Sequence, residues 1–236
     1  NISNTFSNNL IQVNGSKILS IASKDKDKLK RFSKKFNVQN ENIYNNYDDI
    51  INSDFDVAYV GLINSLHNEI IKKLAFNNKN ILVEKPAFLS LKDYDQTLNV
   101  IKKQNVFFME SMMYLHHPQI NKIFEIIKNN EIGELYKFEY KLGFDIRKKF
   151  LGFFRQDINF LNRLSHPKLG GGAINDIGCY PISFSNKLAN IFKNNKIKKI
   201  KKNNYIGKTG VDEKSSINIE YENNFMSDLL VSINEK

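Results

Sequence analysis

The 236-residue sequence contains one cysteine, Cys179. A lone thiol excludes an intrachain disulfide framework and every multi-cysteine metal site; it suits a reducing cytoplasm, the expected compartment. No run approaches the ~20 consecutive apolar residues of a membrane-spanning helix, so no membrane partner is expected. The first residues, Asn1-Ile2-Ser3-Asn4, carry neither a charged n-region nor an apolar h-region, so no secretory signal is expected there. They also lack a starting Met, and the chain is expected to be a fragment or processed form. The four histidines show no zinc spacing, and the adjacent His116 and His117 read as surface or packing residues, so no metal is expected. Arginine is scarce: 31 of the 35 basic residues are Lys and 34 residues are Asn, which points to an AT-rich coding bias. Nucleic-acid sites favour the forked donors of Arg, so the net charge of +10 reads as solvated surface and no nucleic-acid partner is expected. The densest basic run, residues 196–202, reads as an edge strand protected by lysines. Neither G-x-G-x-x-G nor a P-loop occurs.

What is present supports a sizeable core, with 41% hydrophobic residues, 18 Phe and 10 Tyr. In the first half, apolar runs at residues 17–22, 55–61, 80–83 and 106–109 read as strands. Helical stripes at residues 25–36, 65–77 and from Ser90 to Ile101 separate them. This alternation predicts an α/β, doubly wound parallel sheet. Residues 1–13 carry Ile2, Phe6, Leu10 and Val13 at helical spacing. They read as the helix that follows a first strand and phosphate-binding turn, both expected to lie outside this sequence. From Pro118 the pattern becomes α+β. A helix carries Ile120, Ile123, Phe124 and Ile127, and residues 135–142 alternate as a half-covered strand, expected to be antiparallel. Residues 217–221 and 225–232 form an expected hairpin across Glu222-Asn223-Asn224.

Chemistry-bearing residues concentrate in two places. Gly170-Gly171-Gly172 precedes an expected helix in which Asp176 and Tyr180, four apart, place a carboxylate and a phenol on one face. Pro181 complicates that helix. The other place is the set of loops beyond the carboxyl ends of the parallel strands, where such sheets bind ligands. These loops carry Ser23 and Lys24, then residues 62–67, then Glu84-Lys85-Pro86. A base at position 24 favours the 2′-phosphate of NADP, whereas the adjoining Asp25 favours NAD.

The ordered motifs resemble the glucose–fructose oxidoreductase / inositol dehydrogenase family (Gfo/Idh/MocA), in its dihydrodiol and xylose dehydrogenase-like branch. Asn1-Ile2-Ser3 is similar to the end of the family's glycine turn. Ile21-Ala22-Ser23-Lys24 resembles its V-A-S-R. Residues 57–67 (VAYVGLINSLH) resemble its V-Y-V-x-T-P-N-x-x-H, with Leu62-Ile63 where Thr-Pro is common. Val83-Glu84-Lys85-Pro86 matches its most diagnostic tetrapeptide. Met109-Glu110-Ser111-Met112-Met113-Tyr114 is similar to M-E-A-M-M-Y, with Leu115 at a position often Arg. Asn162-Arg163-Leu164 before the triple glycine, and Thr209-Gly210-Val211-Asp212-Glu213 after it, also fit.

The resemblance implies a Rossmann domain over residues 1–115, lacking its first strand, and a substrate-binding and oligomerisation α/β domain over 116–236, with an open, mainly antiparallel sheet and an incomplete C-terminus. It implies NADP, or else NAD, as cofactor, held by Ser23, Lys24, Leu62, Ile63, Asn64, His67, Glu84, Lys85 and Glu110. It implies sugars, polyols or cyclic diols as substrates and a homodimer formed through the second sheet. Proton handling falls to Lys85, Asp176 and Tyr180, and substrate binding to Arg163 and Tyr180. A phenol, with an unperturbed pKa of about 10, is a poor base near neutrality unless a cation lowers it. Lys85 would supply that cation and Asp176 a positioning carboxylate. The departures at Leu62-Ile63 and Leu115 leave a second reading open, a non-catalytic dinucleotide-binding sensor of the same fold.

Overall fold

A computed structural model describes residues 2–147, 149–150, 154–155, 163–191 and 195–235. Asn1 and Asn162, named in the motifs above, lie outside the described residues. The chain divides into two compact units, Asn1–Ser111 and Met112–Lys236.

The first unit opens with α1 (Ile2–Leu10), then β1 (Ile21–Ala22), α2 (Lys26–Phe36), β2 (Ile43–Tyr44) and α3 (Tyr47–Ile51). It continues through β3 (Val57–Val60), α4 (Asn64–Phe76), β4 (Asn80–Val83), α5 (Leu91–Gln104) and β5 (Phe108–Glu110). Strands β3, β4 and β5 form a parallel sheet in that order, and β1 pairs in parallel with β2. The helices begin where capping chemistry requires. Asp25 accepts the Lys28 N–H at 3.0 Å to start α2, and Ser90 accepts the Asp93 N–H at 3.1 Å to start α5. Two of them end on Asn37 and Asn105 in the left-handed region, which Asn tolerates better than most residues. Ile70, Ile71 and Leu74 of α4 pack with Ile81 and Val83 of β4 and with Val60 and Ile101 in one buried cluster. Burial of that kind is the main stabilising term, about 1.5–3 kcal/mol for each large apolar side chain.

The second unit contains α6 (Pro118–Lys128), β6 (Lys137–Gly143), the two-residue strands β7 (Lys149–Phe150) and β8 (Phe154–Arg155), and α7 (Cys179–Ala189). It ends with β9 (Ile197–Ile206), β10 (Asp212–Tyr221) and β11 (Met226–Ser232). The sheet order is β6-β11-β10-β9. The expected hairpin is β10–β11, closed by Asn224 at φ 64° and the Tyr221 N–H to Phe225 O bond of 3.0 Å. The basic run lies on edge strand β9, whose residues are nearly all exposed. One expectation is corrected: β6 runs parallel to β11, so the sheet is mixed. Alternation reports one covered face and not strand direction, and β6 reaches its partner across α7, β9 and β10, not through a hairpin. Phe138 and Tyr140 of β6 cover the cluster formed by Leu188, Ile217, Tyr221, Phe225 and Leu229. Among the described residues, no helix is long and apolar enough to cross a membrane.

Candidate functional site

In the first unit, parallel pairing sends the chain out of β3, β4 and β5 on one edge of the sheet. The loops leaving that edge carry most of the residues singled out above. Gly61 follows β3, where an added Cβ would stand 2.6 Å from Ser3 Oγ and 2.8 Å from the Tyr59 ring. The glycine therefore lets the start of α1 close against the end of β3. Leu62 and Ile63 are half-buried, and Asn64, buried, opens α4. His67, one turn into α4, is fully buried between two carbonyl oxygens, with Nδ1 2.8 Å from Pro86 O and Nε2 3.2 Å from Leu62 O. Both partners are acceptors, and a neutral imidazole has one N–H, so the shorter contact fits the proton on Nδ1. His67 was expected among cofactor residues. Its ring lies between the loop after β3 and the loop after β4.

Glu84 is buried at the end of β4 and accepts the Tyr59 hydroxyl at 2.7 Å. Burial first, and then the Glu84 carboxylate, push the Tyr59 phenol far above its usual range, so it remains a donor. Phe6 stacks on the Tyr59 ring at 3.8 Å with the planes 5° apart. Lys85 is half-buried, and its peptide bond to Pro86 is cis. Glu110, at the end of β5, accepts the Ala87 N–H at 2.7 Å and so touches the same loop. Near β1, Ser23 Oγ accepts the Asp25 N–H at 3.1 Å, and Lys24 Nζ lies 5.5 Å from the centre of the Tyr47 ring. The Asp25 carboxylate is engaged as the α2 cap and pairs with Lys28 Nζ at 2.9 Å. These bonds, the Lys28 N–H first, lower its pKa. Its charge is thus directed at the helix, while Lys24 stays exposed.

In the second unit the triple glycine is a tight structural turn. Gly170 and Gly172 have φ 76° and 109°. Gly171 and Gly172 pass so close to neighbours that a Cβ would stand 2.3 Å from Leu164 O and 2.1 Å from Asp212 Oδ1. Asp212 holds the turn from the other side, accepting the Ile174 N–H at 2.9 Å and the Ser215 hydroxyl at 2.8 Å through Oδ2. The single α-helix expected after the glycines is a π-helical turn, Ile174–Gly178, followed by α7. The Cys179 N–H reaches back five residues to Ile174 O, and Pro181, two residues on, has no N–H to offer Ile177 O. Asp176 is buried in this turn, 3.5 Å from Arg163 Nη2, so two separately chosen residues meet. Tyr180 lies half-buried in the first turn of α7, edge-on to Tyr114 at 6.1 Å. The Tyr114 hydroxyl donates to Ser183 Oγ at 3.0 Å. Sequence reasoning missed Tyr59, Tyr114 and Asp212 as parts of these arrangements, although each falls inside a quoted motif.

Comparison with known proteins gives this geometry a lineage. Residues 1–112 match the oxidoreductase family with the NAD-binding Rossmann fold, and residues 120–236 match the GFO/IDH/MocA C-terminal domain. The chain belongs to the Gfo/Idh/MocA oxidoreductase family. It is 28% identical over 205 residues to trans-1,2-dihydrobenzene-1,2-diol dehydrogenase of Xenopus tropicalis, a match covering 86% of this chain and 57% of that protein. It is 31% identical over 165 residues to dTDP-3,4-didehydro-2,6-dideoxy-alpha-D-glucose 3-reductase of Actinomadura kijaniata, covering 70% and 46%. Among solved structures, an aldose-aldose oxidoreductase from Caulobacter crescentus complexed with glycerol superposes with a TM-score of 0.84 at 16% identity, covering 99% of this chain and 68% of that one. A 3-ketoreductase from Actinomadura kijaniata in complex with NADP and TDP-benzene gives 0.78 at 21% identity, covering 96% and 65%. The chain thus spans little more than half the length of the Xenopus relative.

Proposed function

We propose that the protein carrying this chain is a NAD(P)-dependent oxidoreductase that moves a hydride between nicotinamide and a carbinol or carbonyl carbon of a sugar, polyol or cyclic diol. The observation that carries this reading is the Glu84-Lys85-Pro86 loop, braced at the carboxyl edge of a parallel sheet with Glu84 and Pro86 buried and Lys85 half-buried, in a chain of this family.

A dinucleotide is assigned to the first unit. Lys24 is an exposed cation for a 2′-phosphate, which favours NADP over NAD. Ser23, Lys24 and the loop from Leu62 to Asn64 would hold it, with His67, Glu84 and Glu110 fixing the loops around it. When bound, it supplies the hydride donor or acceptor. Tyr180 gives or takes the hydroxyl proton, Lys85 supplies the cation that suits a phenol to that task, and Asp176 with Arg163 orients the substrate hydroxyls. Residues 1–115 serve the dinucleotide and residues 116–236 the substrate and pairing with a second copy. The expected setting is cytoplasmic.

The test is oxidation of NADPH, followed at the nicotinamide absorbance, by the whole protein with a panel of aldoses, ketoses and cyclic diketones. Lys85→Met and Tyr180→Phe should each lower kcat by about 10²-fold or more, the scale of general acid–base catalysis. Turnover left intact in both variants would refute the assignment. Tight NADPH binding without turnover on any member of the panel would favour the sensor reading.

A further inference from the structure

We infer that Tyr59, His67 and Glu110 are positioning residues that act as a three-point clamp on the loop presenting Lys85; the inference rests on the role proposed for Lys85 above. Each anchor comes from a different element: Tyr59 from β3, His67 from α4 and Glu110 from the end of β5. Each holds a different residue of one short loop. Tyr59 Oη donates to Glu84 Oε1 at 2.7 Å, His67 Nδ1 meets Pro86 O at 2.8 Å, and Glu110 Oε1 accepts the Ala87 N–H at 2.7 Å. Main-chain bonds complete the frame at the strand end, with the Glu84 N–H on Val60 O at 3.0 Å and the Ser111 N–H on Val83 O at 2.8 Å. Lys85 therefore lies between anchored neighbours on both sides.

The anchors are themselves fixed. The Tyr59 ring is held in plane by Phe6, and its phenol stays protonated. His67 is fully buried, with Leu62 O packed 3.2 Å from its other ring nitrogen. Glu84, Pro86 and Ala87 are all buried, so a lost partner leaves a polar group that water reaches poorly. An ammonium that must meet a reacting group gains from such rigidity, because a displacement near 1 Å can lower a rate by about 10²-fold.

The test uses the whole protein with NADPH and compares Tyr59→Phe, Glu110→Leu and Glu110→Gln, all checked for folding by circular dichroism. Tyr59→Phe deletes one hydroxyl and retains the stacking on Phe6. Glu110→Gln retains an acceptor oxygen for the Ala87 N–H, whereas Glu110→Leu removes it. Amide exchange at Ala87, which needs no substrate, should accelerate at least about tenfold in Glu110→Leu and stay protected in Glu110→Gln. Tyr59→Phe and Glu110→Leu should lower kcat by about tenfold or more, with KM for NADPH within about twofold, the pattern of a displaced catalytic group and not of a lost binding contact. The clamp is refuted if Ala87 exchange in folded Glu110→Leu equals the wild-type rate. It is also refuted if both variants keep wild-type kcat while Lys85→Met abolishes turnover. If Lys85→Met leaves turnover intact, the role of Lys85 falls, and the exchange result still decides whether the clamp exists.

Discussion

Replacing Gly172 by alanine acts on the turn that carries Asp176 and Tyr180 in two separable ways. The residue sits at φ 109°, a conformation that L side chains rarely adopt, which costs about 1–3 kcal/mol. The new Cβ would also stand 2.1 Å from Asp212 Oδ1, so the carboxylate must move. That carboxylate accepts the Ile174 N–H and the Ser215 hydroxyl, and each bond to a charged group contributes about 1.5–3 kcal/mol when intact. With part of that recovered by water, Gly172→Ala should cost about 3–6 kcal/mol, a large share of the 5–15 kcal/mol that typically separates folded from unfolded states. Urea unfolding read by amide exchange in α7 and β10 reports the second unit apart from the first. A double-mutant cycle then separates the two terms. In an Asp212→Ala background only the backbone strain remains, and the cost of Gly172→Ala should shrink by about 2 kcal/mol. A cost below about 1 kcal/mol in the wild-type background, or additivity of the two changes within about 0.5 kcal/mol, would refute the reasoning.

Two more outcomes follow from particular contacts. Ser185→Ala should destabilise the second unit by about 1–3 kcal/mol in the same assay, because the buried hydroxyls of Tyr221 and Ser227, each 2.8 Å from Ser185 Oγ, would lose their shared partner; unchanged stability would contradict this. Lys24→Ala should lower the preference for NADP over NAD about tenfold in dissociation constants measured by titration, the scale of one ion contact; an unchanged ratio would remove Lys24 from the 2′-phosphate.

The parts of the fold carried by local pattern were legible in the sequence. The apolar run at residues 80–83 is β4 to the residue, Ser90 caps α5, and the alternation at residues 217–232 gave the β10–β11 hairpin. Weak local signals were lost. Strand β2 is two residues long and α3 five, too short for any periodicity to show. The polar start of β10, Asp212 to Ser216, disguised half of a ten-residue strand. Strand direction in β6 was illegible because alternation is identical in parallel and antiparallel pairs. The motifs singled out Lys85, Asp176 and Tyr180 as candidates. They did not show that Arg163 meets Asp176, or that Tyr59, His67 and Glu110 converge on one loop. Those contacts span 13 to 25 residues and are fixed by tertiary packing. Pro181 was the one visible warning that the helix after the glycines departs from α geometry, and the π turn lies immediately before it.

The central claim is hydride transfer, and the most direct measurement follows the hydride itself. The whole protein, given NADPH deuterated at nicotinamide C4 and a carbonyl substrate drawn from the aldose, ketose and diketone panel, should yield a product carrying one deuterium on the new carbinol carbon, detected by mass spectrometry. Lys85→Met and Tyr180→Phe should slow its appearance together. Tight binding of NADPH with no deuterium in any product would contradict the account and leave a dinucleotide-binding sensor in its place.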